Sequence, residues 1–175
     1  MKKITTEALD ILLKNKHKNV AIDFTCGNGF DTFFLAEHFT KVYAFDIQEE
    51  AINNTMNRCK SFNNIEYHLK SHELFFEEVQ EFDAGIFNLG YLPHSESTIT
   101  TNSFTVLKTL EIALKYLNNE GTIILVLYPG FEKGQQEAND VEEFCKSILS
   151  NKYDVSKLIL LNRINAPYII RIDKH

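Results

Sequence analysis

The sequence predicts an α/β fold: a doubly wound, mostly parallel sheet with helices on both faces and an antiparallel hairpin at its C-terminal end. Three observations predict it. Short apolar runs alternate with stretches of helical spacing through most of the chain, as in a parallel sheet wound with crossover helices. The stretch Asp23-Phe24-Thr25-Cys26-Gly27-Asn28-Gly29 joins one such run to a helix through two glycines one residue apart. There the backbone must turn tightly or let a ligand come close. The last two strand-like runs are separated only by Asn162-Arg163-Ile164-Asn165, too short for a crossover, so they should pair antiparallel.

Taken in order, a first helix near residues 5–15 carries Leu9, Leu12 and Leu13 on one side and covers the sheet. Strand one, 19–24, brings Val20-Ala21-Ile22 to the glycine turn, and helix 31–38 leaves it. Strand two, 41–46, ends on Asp46 and passes into helix 49–61. The short strand 65–69 runs into Ser71-His72-Glu73, which opens a turn or helix. Strand four, 84–88, leads to the loop Asn88-Leu89-Gly90-Tyr91-Leu92-Pro93, and a long helix spans about 101–117. Asn118-Asn119-Glu120-Gly121 stops that helix. The run 122–127 is continuously β-branched and apolar, as for a central strand buried on both faces. Helix 135–149 and strands near 153–161 and 166–172 complete what reads as one domain, 1–175, without linker, repeat or low-complexity segment.

At 175 residues and 44% hydrophobic content the chain can bury an ample core. No stretch approaches the apolar length that spans a bilayer, and the start does not read as a signal peptide. Cys26, Cys59 and Cys145 are scattered and odd in number, which speaks against a disulfide framework or zinc site and fits a reducing cytoplasm. A net charge of −6 argues against broad nucleic-acid binding, because phosphate contacts need Lys and Arg. It leaves room for a local basic patch from Lys2, Lys3, Lys14, Lys16 and Lys18, or from Lys133, Arg163 and their C-terminal neighbours.

A strand, a glycine turn and a helix N-terminus make a nucleotide corner, because unpaired amide N–H groups converge there. Asp46 stands about 20 residues on, where a ribose-binding carboxylate is expected. A dinucleotide site wants a third small residue three positions after Gly29, and Thr32 stands there instead. Asp23 would repel a pyrophosphate but can face the ammonium group of a methionine moiety. The corner therefore favours S-adenosylmethionine over NAD.

In such a sheet the ligand lies at the carboxyl ends of the strands. That edge carries Asp23, the loop with Cys26, Gly27 and Gly29, then Asp46, Gln48, Ser71, His72 and the loop from Asn88 to Pro93. Asp46 can accept both ribose hydroxyls. His72 fits the adenine edge and an exposed turn equally well. Asn88 Oδ1 can accept an amine's hydrogens and aim its lone pair, while Tyr91 can stack on a planar substrate. The plain alternative is an Asn-Leu-Gly turn with a buried Tyr. Cys26 sits in the cofactor loop as a small residue rather than as a nucleophile.

Taken together, Asp23-x-Thr25-x-Gly27-Asn28-Gly29-x-Asp31-Thr32, Phe45-Asp46-Ile47-Gln48, Ser71-His72, Phe87-Asn88-Leu89-Gly90-Tyr91-Leu92-Pro93 and Ile99-Thr100-Thr101 form a specific combination. It resembles the bacterial tRNA 5-(aminomethyl)-2-thiouridine methyltransferases, long labelled rRNA methylases, which are Class I S-adenosylmethionine-dependent enzymes. The similarity runs through essentially the whole chain and includes Gly130, Gly134 and Glu137. The resemblance implies methyl transfer to the aminomethyl nitrogen of a wobble uridine, with the tRNA anticodon region as partner. It also implies that Asn28, Asp31, Asp46, Gln48, Ser71 and His72 contact the cofactor. The chain departs from the family pattern at His94-Ser95-Glu96, where glycines are usual, and at Phe131, where a histidine is common.

An amine must be neutral to attack, and no residue stands out in the sequence as the base; positioning and desolvation are the expected means. A same-fold enzyme acting on a small-molecule, protein or rRNA amine stays open. So do a noncatalytic S-adenosylmethionine-binding module and the oligomeric state, homodimer included.

Overall fold

A computed structural model describes residues 4–90 and 103–175. Among them seven strands form one sheet in the order β3-β2-β1-β4-β5-β7-β6. These are β1 Val20–Asp23, β2 Lys41–Asp46, β3 Ile65–Leu69, β4 Phe82–Asn88, β5 Leu117–Leu127, β6 Tyr153–Leu158 and β7 Tyr168–Lys174. The first five are parallel; β7 alone runs against its neighbours, antiparallel to both β5 and β6. The order reverses direction between β1 and β4, the position at which ligands bind open α/β sheets.

Among the described residues five α-helices, α1 Ile4–Leu13, α2 Phe30–His38, α3 Glu49–Arg58, α4 Ser103–Tyr116 and α5 Glu132–Lys146, cover the sheet together with the 3₁₀ helix His72–Glu77. On one face Leu12 of α1 and Leu35 of α2 pack onto Val42, Ile86 and Ile124, and Ile52 of α3 packs onto Ala44. On the other, Val106 and Leu110 of α4 and Val141 of α5 meet Phe24, Phe87 and Leu125. The buried runs of β4 and β5 have apolar side chains on both faces, as central parallel strands require.

One sequence expectation changes at the C-terminal end of the sheet. The hairpin forms, but its strands stop at Leu158 and resume at Tyr168, so its connection covers 159–167 rather than four residues. β7 sits beside β5, and β6 takes the edge. Burial explains the order, because Tyr168, Ile169, Ile170 and Ile172 are buried whereas nearly all of β6 is exposed. The stop at 118–121 is not a clean break either. The β4–β5 register shifts there, and Glu120 takes a left-handed φ of 61°.

Beneath the sheet, at the amino ends of the strands, Asp83 is a tie point. Its Oδ2 accepts the backbone N–H groups of Asn19 and Val20, and its Oδ1 accepts Nδ2 of Asn118 at 2.9 Å. Lys16 and Lys18 belong to this end: Lys16 pairs with Glu120, and Lys18 bonds the carbonyls of Leu13 and Asn15. No helix among the described residues is long and apolar enough to cross a membrane.

Candidate active site

The carboxyl ends of the strands open into a cavity of about 1280 Å³. That exceeds the roughly 300–1,000 Å³ of common ligand pockets, leaving room for a cofactor and part of a second molecule. Its base is the turn between β1 and α2. Gly27 and Gly29 have φ of 50° and 76°, a conformation that costs a side-chain-bearing residue. Space also demands glycine at 29, since a Cβ there would lie 2.7 Å from the Thr55 Cα of α3. The turn is thus pressed against α3, and Thr55 Oγ1 donates to the Gly27 carbonyl at 3.2 Å.

Asp23 is placed differently from the sequence expectation. It is fully buried and is not among the residues lining the cavity. Its Oδ1 accepts the Thr25 N–H at 3.1 Å, and its Oδ2 accepts the Thr32 hydroxyl at 2.6 Å. Both oxygens therefore tie strand to loop and helix, and the side chain that stands in the third-glycine position is a fastener. Desolvation, with the charge of Asp31 beside it, holds the Asp23 carboxyl well above the usual carboxylate range.

Asp46 does reach the cavity. Its Oδ2 accepts the Gly27 N–H at 3.1 Å and its Oδ1 the Gln48 N–H at 3.0 Å. An ionised carboxylate oxygen offers more than one acceptor site, so both can still take ligand hydroxyls. Burial raises the pKa of Asp46, while these N–H groups counter the rise. Cys26, Gly27, Asn28, Gln48 and Ser71 line the same region, and Gly29 shapes it from behind. Asn28 is held by Asn54, which donates to its Oδ1 at 3.1 Å, and by Arg58 Nε on its carbonyl at 2.6 Å. The Cys26 thiol is buried, and desolvation pushes its pKa upward, which disfavours the thiolate a nucleophile needs.

His72 is buried rather than an exposed turn residue. It stands edge-on to Phe24 and Phe87, with Nδ1 2.7 Å from Thr109 Oγ1. The Thr109 hydroxyl donates to the Thr105 carbonyl, so it accepts from His72 Nδ1–H and leaves Nε2 as an acceptor. Burial pushes the ring down to about 4, so it is neutral at physiological pH. A neutral acceptor at the cavity wall suits an amino group such as that of adenine.

At the end of β4, Asn88 joins the two halves of the cavity. Its N–H is anchored on Thr25 Oγ1 at 2.8 Å. Its Nδ2 donates to Asp31 Oδ2 at 3.0 Å, and its Oδ1 accepts the Tyr128 hydroxyl at 2.8 Å. The amide oxygen expected to receive an amine is therefore already shared with Tyr128 and keeps one lone pair. Tyr91 lies outside the described residues, as do residues 92–102. Beyond Asn88 the wall is built by Thr5 and Leu9 of α1, Phe33 and Phe34 of α2, and Asn165 and Pro167 of the long hairpin connection.

Tyr128 was missed in the sequence, and Thr25 stood there only as part of the motif, with no role assigned. Tyr128 follows the last residue of β5, so the same strand-end rule that selected Asp46 and Asn88 could have found it. The contributions of α1 and of 159–167 leave no comparable sequence signal.

A model of the family described as "Putative rRNA methylase" matches residues 42–173. The chain is 33% identical over 171 residues to a chloroplastic tRNA (mnm(5)s(2)U34)-methyltransferase of Arabidopsis thaliana; the match takes in 87% of this chain and 62% of that protein, so the chain spans less than two thirds of that relative's length. Among solved structures, a protein named as a putative rRNA-methylase from Clostridium thermocellum has a TM-score of 0.94 at 31% identity, covering 100% of this chain and 99% of that one. A putative methyltransferase from Streptococcus mutans, solved in complex with SAH, has a TM-score of 0.92 at 32% identity with the same coverages. With the glycine corner, the strand order and these whole-length likenesses in agreement, the chain belongs to the rRNA methylase family and carries the Class I methyltransferase fold.

Proposed function

We propose that the protein is an S-adenosylmethionine-dependent N-methyltransferase that converts 5-aminomethyl-2-thiouridine to 5-methylaminomethyl-2-thiouridine at the tRNA wobble position. The observation that carries the reading is the placing of Asn88, which meets Asp31 and Tyr128 in a cavity too large for a cofactor alone. The relative from Arabidopsis, named for that modification, supports the substrate.

The residues present fit the cofactor. The wall exposes the carboxylates of Asp31 and Asp46 to a ligand that carries sulfonium and ammonium charges, and the same charges disfavour a pyrophosphate. S-adenosylmethionine supplies an electrophilic methyl group when bound. Asp46 and Gln48 would hold its ribose, Ser71 and the neutral His72 its adenine, and Cys26, Gly27 and Asn28 its methionine end. Gly29 keeps the turn shaped for it. Asn88 orients the incoming amine with its remaining lone pair, and Tyr91 is proposed to stack on the uracil ring. The enzyme would work in the cytoplasm on the tRNA anticodon region. Buried, unpaired thiols at Cys26, Cys59 and Cys145 fit a reducing compartment.

The test is labelled methyl transfer to bulk tRNA from cells lacking the gene, followed by nucleoside mass spectrometry. Label in 5-methylaminomethyl-2-thiouridine is the expected result. Since relatives bear the rRNA methylase name, ribosomal RNA from the same cells is assayed beside it. Label found only there would replace the tRNA reading with an rRNA one.

A further inference from the structure

The hydrogen bonds around Asn88 run in one direction. A phenol facing an amide oxygen must donate, so Tyr128 gives its hydrogen to Asn88 Oδ1 at 2.8 Å. The amide nitrogen then gives one of its hydrogens to Asp31 Oδ2 at 3.0 Å. A flipped amide would set its oxygen against the Asp31 carboxylate, lone pair to lone pair. Tyr128 stays a donor because burial and the nearby Asp31 charge push its pKa up to about 12. The series of donors therefore ends on a carboxylate, which only accepts.

That carboxylate has an unused end. Asp31 is 7% exposed, yet it lines the cavity, and among the described residues no hydrogen bond or ion pair engages its Oδ1. Burial makes Asp31 a better proton acceptor than a surface carboxylate, with the Asn88 bond opposing the shift. A buried acceptor without a cation invites a ligand that brings positive charge.

We propose that Asp31 is the base of the reaction, its Oδ1 taking a proton from the substrate's ammonium group while Asn88 and Tyr128 hold the carboxyl in place. The proposal rests on the reading of the substrate as a primary amine. An alkylammonium resembles lysine, with a pKa of about 10.4, and has no lone pair to offer. In the step one N–H bond breaks and one O–H bond forms at Oδ1. The bonding pair stays on nitrogen as its lone pair, and the ammonium and carboxylate become a neutral amine and a neutral acid. The product carries a new positive charge on nitrogen, and the proton on Asp31 returns to solvent when product leaves. Among the described residues, the other titratable groups around the site are Asp23 on β1, Cys26 in the glycine turn, Asp46 on β2, His72 of the 3₁₀ helix, Tyr128 after β5 and Glu37 on α2 itself.

Two measurements test the assignment on Asp31→Asn and on Asp31→Ser, the second guarding against a folding defect in the first. Calorimetry with S-adenosylmethionine alone should show affinity reduced by less than about tenfold, since Asp31 also faces the cofactor's positive charges in the same cavity. Single-turnover transfer to undermodified tRNA near neutral pH should fall about 100-fold or more, the usual worth of a general base. The variants' rates should then climb about tenfold per pH unit toward the amine's own pKa, as free amine accumulates, while the wild type climbs less. Affinity reduced more than tenfold with an unchanged saturated rate would overturn the proposal and assign Asp31 to the cofactor's ammonium group. Equal rates for wild type and variants would overturn it as well. A wild-type enzyme that labels no tRNA would overturn the reading of the substrate, and this assignment with it.

Discussion

The hydroxyl of Tyr128 lies 2.8 Å from Oδ1 of Asn88, and this one bond connects the end of β5 to the residue on which the proposed chemistry turns. If the bond serves only to hold the Asn88 amide, removing both partners should cost little more than removing Asn88. Tyr128→Phe should slow single-turnover methyl transfer about fivefold to tenfold, the equivalent of one neutral hydrogen bond of roughly 1 kcal/mol. Asn88→Ala should slow it about 100-fold or more, as for loss of an oriented dipole at developing charge. The double variant should match Asn88→Ala within a few tenths of a kcal/mol, and a double-mutant cycle measures the difference. Additive losses would assign Tyr128 a role of its own.

Asp46 accepts backbone hydrogens from Gly27 and Gln48 and lines the cavity, so the proposed ribose contact and the loop depend on one side chain. Asp46→Ala should weaken S-adenosylmethionine binding by about 1.5–3 kcal/mol, the range for hydrogen bonds to a charged group. It should also lower the melting temperature of the free protein, because two N–H groups lose their acceptor. Calorimetry and thermal melts read the two effects separately. Unchanged affinity in a folded variant would refute the ribose assignment.

At Gly29 a methyl group meets two penalties. The Thr55 Cα of α3 would lie 2.7 Å away, and φ is 76°. Gly29→Ala should destabilise the fold by about 1–3 kcal/mol from backbone strain alone, with a further cost as α3 is displaced. Urea unfolding would measure it, and cofactor affinity should fall in parallel because Gly27 and Asn28 share the turn.

Glu137 on α5 is buried, and its Oε1 has no hydrogen-bond partner among the described residues. Desolvation, with Asp140 adding repulsion, raises its pKa to about 7. A carboxyl whose folded pKa is raised stabilises the fold fully below its unfolded value, near 4.3–4.5. That contribution is lost as pH rises through about 7. Glu137→Gln should therefore be more stable than wild type at pH 8 by about 1–3 kcal/mol and nearly equal at pH 4.5. Melts across that range would show it, and a gap that is the same at both ends would refute the account.

For tRNA binding, the basic candidates narrow. Lys16 and Lys18 sit at the amino ends of the strands, away from the cavity, while Arg163 lies in the connection that also supplies Asn165 to the wall. Lys133 stands in the first turn of α5, next to Phe131 after β5. Charge reversal at Lys133 and Arg163 should weaken tRNA binding and flatten its salt dependence by roughly one log unit per contact removed, whereas reversal at Lys16 should not. Filter binding across a salt series would decide.

What the sequence determined by itself is the frame of the site. The alternation of apolar runs and helices sets a parallel sheet, and the two glycines with Asp46 about 20 residues on mark the proposed cofactor site at its edge. These signals are local: backbone conformation at glycine and the strand-end position of a carboxylate depend on a few neighbouring residues. Even Asn88 could be read from its place after a buried strand. What only the tertiary structure decided is how the polar groups pair. Asp23 and Thr32 lie nine positions apart, and their bond turns a presumed ligand group into a strut. Asp31, Asn88 and Tyr128 come from α2, β4 and the end of β5, and only sheet closure brings their side chains within hydrogen-bonding distance. The same holds for His72, whose tautomer follows from Thr109 on α4. Side-chain polarity is written locally, but which donor meets which acceptor depends on packing between distant segments, and there the carboxylate that lines the cavity and the carboxylate that braces part company.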